Sequence, residues 1–141
     1  MNVKQILCPV DFSSASVAAL QLGSALAREH GSTIHIVYVE PDVTPMGQVG
    51  YRPNVPNSLE HHELWHTLPL ATDVTFVQRL LFGEPAHEIL RFADNNNVDL
   101  IVMGSHGRTG LARMLTGSVA EAVIRRAAVP VLTVKQPSPS R

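Results

Sequence analysis

Cysteine is nearly absent from this chain, and that absence sets the first limit on its class. The single Cys8 among 141 residues excludes a disulfide framework. Its place inside an apolar run, with no basic neighbour to activate it, points to a small buried residue rather than a redox centre. A surplus of positive charge is missing as well. Eleven Lys and Arg against twelve Asp and Glu give a formal net charge of −1, too little basic character to neutralise a run of phosphates, so no nucleic-acid partner is expected. Long hydrophobic runs are also lacking. The longest, 100–103 and 127–134, fall far short of the roughly 20 residues that a bilayer-spanning helix needs, and no signal-peptide pattern is present. The expectation is a cytoplasmic protein with no membrane partner. The 45% of hydrophobic residues that remain suffice for one core, hence a single domain over 1–141.

Along the chain, apolar patterning alternates between two kinds. Residues 3–10 (VKQILCPV) are short and mostly apolar, which predicts a buried strand ending before Asp11. Ser13 or Ser14 then offers a cap for a helix that carries Val17, Leu20, Leu22, Ala25 and Leu26 to a C-terminal signal at His30-Gly31. Residues 33–39 (TIHIVYV) are β-branched and almost continuously apolar, as a strand covered on both faces should be. The stretch 41–57 is rich in proline and glycine and predicts a flexible loop. Residues 58–70 (SLEHHELWHTLPL) predict a short helix with Leu59, Leu64 and Leu68 facing inward. Further strands are predicted over 74–81, 99–103 and 131–135, and further helices over 86–96, with Pro85 in a tolerated first-turn position, and over 118–128. Residues 136–141 read as a tail. Strand and helix in alternation require parallel pairing through right-handed crossovers, so the expected fold is an open five-stranded α/β sheet sandwiched by about four helices, Rossmann-like, with ligands beyond the strands' carboxyl ends.

Three glycines mark one such end. The apolar run 99–103 leads into Gly104-Ser105-His106-Gly107, and nine residues later Gly117-Ser118 opens a helix. Glycines there let the backbone approach an anion, and the first amides of the helix, with its dipole, can hold phosphate oxygens without a lysine. Ser118 has two readings: a hydroxyl donating to phosphate, or a cap paired with Glu121 in a Ser-x-x-Glu box. Neither G-x-x-x-x-G-K-[ST] nor G-x-G-x-x-G occurs, so the loop belongs to neither common phosphate-binding class.

The pattern G-x-x-G-x9-G-S after an apolar strand resembles the ATP-binding type of the universal stress protein family. The resemblance extends over nearly the whole chain: ILCPVDFS, the strand ending in YVE, GEP before a helix, and VDLIVMGSHGRTGLARMLTGSVAEAVIRRAAVPVLTV. It implies an adenine nucleotide alpha hydrolase-like fold and a site in which Asp11 holds the ribose hydroxyls beside Pro9 and Val10. Val39 meets adenine through its backbone, and Met103 and Gly104 lie along the ribose. His106, Gly107, Arg108, Gly117, Ser118 and Val119 surround the triphosphate. It also implies ATP with magnesium held by phosphates and water, and a homodimer through the last strand, 131–135. Asp11 is independently placed for a sugar diol at a strand's carboxyl end, with helix capping beside Ser13 as the alternative. ADP and AMP stay open as ligands, since backbone amides count phosphate oxygens only loosely.

Two other classes compete. His62-Glu63-Leu64-Trp65-His66 spells H-E-x-x-H, which on a helix sets two imidazoles one turn apart for zinc. The chain is short for a two-lobed metalloprotease, so weak metal binding by His61, His62 and His66 is the stronger form of that reading, and a polar helix face with Leu64 and Trp65 packed inward is the simpler explanation of the stretch. An interaction module with a vestigial site is the other. For hydrolysis, the loop supplies only His106, Arg108 and Arg113, none at a spacing that orients an attacking water, so the expectation is a nucleotide-dependent regulator with at most slow ATP turnover.

Overall fold

A computed structural model describes residues 2–40, 68–105 and 117–135. Within them lie five strands and three helices, alternating except between β2 and β3: β1 (Gln5–Pro9), α1 (Ser14–His30), β2 (Thr33–Glu40), β3 (Thr75–Phe82), α2 (Pro85–Asn95), β4 (Leu100–Gly104), α3 (Ser118–Arg126) and β5 (Val131–Val134). All pairings are parallel, in the order β3-β2-β1-β4-β5. The chain therefore winds outward from β1 through β2 to β3, then returns to the opposite side of β1. The switch point lies at the carboxyl ends of β1 and β4, where such sheets leave a crevice.

Alternation along each strand divides the core into two layers. Leu7, Val37, Val39, Ile101 and Met103 pack with residues of α2 and α3, among them Ala86, Ile89, Phe92, Ala120 and Val123. Ile6, Cys8, Val10, Ile34, Ile36 and Val102 pack with Ala19, Leu20 and Ala27 of α1. Cys8 is fully buried, and that burial pushes its thiol up to about 12, leaving no thiolate to react near neutral pH. A Cβ at Gly23 would stand 2.8 Å from the Cys8 sulfur, so a glycine lets α1 settle on the sheet there.

Helix ends follow local chemistry. Ser13 caps α1 by accepting from the Ser16 amide, and Gly31, at φ 66°, closes it in the left-handed region. Glu84 caps α2 by accepting from the His87 amide, with Pro85 at the first helical position. The expected Asn turn follows: Asn96 is the C-cap and Asn97 takes φ 52°. Relative to the sequence reading, β1 and β5 are shorter, β3 and β4 are shifted by one residue, and β2 is one residue longer. At β4, Asp99 precedes the strand instead of opening it, because its carboxylate accepts the amides of Lys4 and Gln5, both at 2.8 Å, and so brackets the starts of β1 and β4. The loop 41–57, nearly all of the helix expected over 58–70, and the tail 136–141 lie outside the described residues. Leu68 is buried in the α1 layer as expected, while Leu70 is exposed.

Candidate functional site

At the switch point, β1 runs out at Pro9 and the Val10 amide still donates to the Val37 carbonyl at 2.8 Å. The next residue, Asp11, is thus fixed to the sheet's rim. Its Oδ1 accepts the Ser13 amide at 3.0 Å, and its own amide approaches the Ser16 hydroxyl at 3.4 Å. That hydroxyl donates to the Ser13 carbonyl at 3.0 Å. Between Asp11 and Ser13, Phe12 has φ 65°, a region that residues other than glycine, asparagine and aspartate seldom occupy. Its ring lies tilted against Tyr38, centroids 5.3 Å apart.

Gly104 ends β4 directly against this turn. A Cβ there would stand 2.9 Å from the Ala15 carbonyl carbon and 3.0 Å from the Ser16 amide nitrogen. Its glycine therefore serves the close approach of β4 to the first turn of α1, where the sequence reading assigned it to an approaching anion. Ser105, buried, donates its amide to the Val134 carbonyl at 2.9 Å and accepts the Gly117 amide on its own carbonyl. The two ends of the glycine-rich segment are thus clasped together beside Asp11's turn.

That clasp changes the reading of α3. Gly117, at φ −65° and ψ 153°, is the N-cap, and Ser118 is the first helical residue. The Ser-x-x-Glu box does not form, since Glu121 sits one position too late and instead accepts from Arg125 at 2.6 Å. With a glycine as cap, no side chain among the described residues closes this end. The amides of Ser118, Val119 and Ala120 have no intrahelical acceptor, and the positive end of the dipole is presented there. The Gly117 amide itself is spent on Ser105.

Of the residues singled out from the sequence, the structure gathers Asp11, Gly104, Gly117 and Ser118 along one continuous set of contacts. Val39 and Met103 share the α2 and α3 layer with Ala120, so they border the same side of the rim. Val10 sends its side chain into the opposite, α1 layer, which leaves only its backbone at the crevice. His106, Gly107, Arg108 and Arg113 lie outside the described residues, as do His61, His62 and His66. Among the described residues no group of three or more His, Cys, Asp or Glu is placed to hold a metal. No described helix is long and apolar enough to cross a membrane.

Sequence reasoning missed two participants. Ser105 gave no sign of its clasp, because a backbone carbonyl has no sequence signature. Phe12 gave none of its left-handed backbone, because an aromatic residue has no intrinsic preference for that region.

A family model described as the universal stress protein family matches residues 2–135. Universal stress protein MJ0531 of Methanocaldococcus jannaschii is 37% identical over 142 residues, covering 95% of this chain and 83% of that protein. Among solved structures, protein MJ0577 superposes with a TM-score of 0.79 at 28% identity, covering 99% of this chain and all of the other. The universal stress protein from Archaeoglobus fulgidus, solved in complex with dAMP, gives a TM-score of 0.68 at 26% identity over 96% of this chain and 100% of that one.

Proposed function

We propose that this chain, which belongs to the universal stress protein family, binds an adenine nucleotide across the switch point of its sheet, with ATP as the preferred ligand. One observation carries the reading: the amino end of α3, uncapped by any described side chain, is clasped to Ser105 at the rim where Gly104 meets the turn of α1 that follows Asp11. Three amides without an intrahelical acceptor or a described side-chain cap, with a helix dipole at the rim, suit phosphate oxygens. In this arrangement Asp11 takes the ribose hydroxyls beside Pro9 and the Val10 backbone, Val39 meets adenine through its backbone, and Met103 and Gly104 border the sugar. Ser118 and Val119, with the Gly117 turn, hold phosphate, joined by His106, Gly107 and Arg108. The dAMP held by the Archaeoglobus protein supports the adenine nucleotide class. Magnesium enters with the phosphates and its own water, as a hard ion that dehydrates reluctantly does, and ADP and AMP compete for the site.

The nucleotide acts as a signal with slow turnover at most, in a cytoplasmic regulator of the stress response. A homodimer through β5 completes the proposal. β5 is an edge strand, and beside it Leu132 is 38% and Ile124 48% exposed, apolar surface that a second copy would cover. To test the ligand, freshly purified protein is denatured and the released small molecules are identified by mass. The expected result is an adenine nucleotide approaching one per chain. No nucleotide, together with no heat on titration with ATP, ADP or AMP, would overturn the reading.

A further inference from the structure

We infer that Phe12 is a positioning residue for the sugar subsite, holding the Asp11 carboxylate in place through a left-handed backbone that its own ring locks. The inference rests on the nucleotide reading above and extends it to a residue outside the ligand contacts.

An L-residue at φ 65° is disfavoured roughly tenfold or more against the right-handed regions, so the surroundings must impose that conformation. Two anchors do so. On one side the Phe12 ring packs against the α1 layer and leans on Tyr38 at 47°. Tyr38 sits on β2, which is paired to β1 and to β3, so the ring is fixed to the sheet. On the other side the first turn of α1 is closed by the Ser13 hydroxyl accepting the Ser16 amide at 3.2 Å, and is backed by Gly104.

Asp11 lies between these anchors. Its chain enters from Val10, tied to β2, and leaves through Phe12, and its Oδ1 is held by the Ser13 amide at 3.0 Å. Were Phe12 to relax to an ordinary negative φ, the Ser13 amide would turn away and the carboxylate would lose its tether. A glycine at position 12 would permit the turn without enforcing it. The aromatic ring enforces it, and this accounts for a large residue where a small one would be conformationally easier.

The test compares ATP with 2′,3′-dideoxy-ATP by calorimetry, because the ratio of their affinities reads the contact between Asp11 and the sugar hydroxyls. Wild type should prefer ATP by about tenfold or more, the range for a hydrogen bond to a charged group, and Asp11→Ala should lose that preference. Phe12→Val, which resists a left-handed backbone and lacks the ring, should bring the ratio to within about threefold of one, with dideoxy-ATP binding little changed. Tyr38→Ala keeps Phe12 itself but removes the ring on which it leans, and should shift the ratio the same way; it carries the test if Phe12→Val does not fold. Phe12→Tyr should preserve the ratio. A merely structural role would lower melting temperature and both affinities together, leaving the ratio at the wild-type value, and that result would overturn the inference. Wild type that binds neither nucleotide would instead bring down the parent reading, and this one with it.

Discussion

Two helices point their amino ends at the same rim, and they treat those ends in opposite ways. α1 caps its own with side chains: Ser13 accepts the Ser16 amide, Asp11 accepts the Ser13 amide, and the Ser16 hydroxyl returns to the Ser13 carbonyl. α3 begins on a glycine with no side-chain cap. An end closed from within is a structural joint, whereas an end left open beside it is a place for an anion from outside. α2 sharpens the contrast, since Glu84 caps it with a carboxylate and thereby puts negative charge where phosphate would otherwise sit. Of the three amino ends in the described structure, only that of α3 has no side-chain cap.

The contrast breaks most severely at Gly104, the joint between the two ends. Gly104→Val would force a side chain against the Ala15 backbone at 2.9 Å, where no flexible group can yield. A loss of about 1–3 kcal/mol is expected in urea denaturation, together with weakened ATP binding. Ser13→Ala should separate the two ends more gently. Losing the cap should lower stability by about 1 kcal/mol, while the dissociation constant of 2′,3′-dideoxy-ATP, which engages the α3 end without the sugar contact, stays within roughly threefold of wild type.

His35 gives the smallest effect and tests a site remote from both ends. It lies under α2, its Nε2 2.6 Å from the Gln5 amide oxygen and its ring edge-on to Phe92. Burial, and secondarily the charge of Arg79, hold its affinity for a proton below the ordinary value of 6.5. The unfolded chain therefore binds the proton more readily, and the folded state loses stability as pH falls below 6.5. His35→Gln should flatten that decline in melts between pH 7 and 5, without altering ATP affinity at pH 7.5.

Where local rules act alone, the sequence was a reliable guide. The β-branched run of β2 and the Ser13 and Gly31 signals placed those elements within a residue or so, because capping and strand propensity are short-range effects. It misled where one local pattern had two outcomes. Ser118 and Glu121 match a capping box, yet the Ser105 clasp pulls Gly117 into the cap and leaves Glu121 to Arg125. Asp99 looked like the first residue of a strand and is a bracket between two strands. The reason for glycine at 104 depends on α1, a helix some 90 residues earlier in the chain, and no window of sequence contains it. Asp11 was legible as a carboxylate at a strand's carboxyl end, but the turn that holds it was not.

The claim at the centre is that phosphate occupies the end α3 leaves open. Gly117 has the extended backbone of an ordinary N-cap, so Gly117→Asp gives α3 the kind of cap α1 already has and places a carboxylate at the phosphate position. ATP titration of wild type and Gly117→Asp, each with a thermal melt, is the direct measurement. Gly117→Asp should show an unchanged or higher melting temperature and an ATP affinity at least about tenfold weaker; a folded variant that binds ATP as tightly as wild type would overturn the claim.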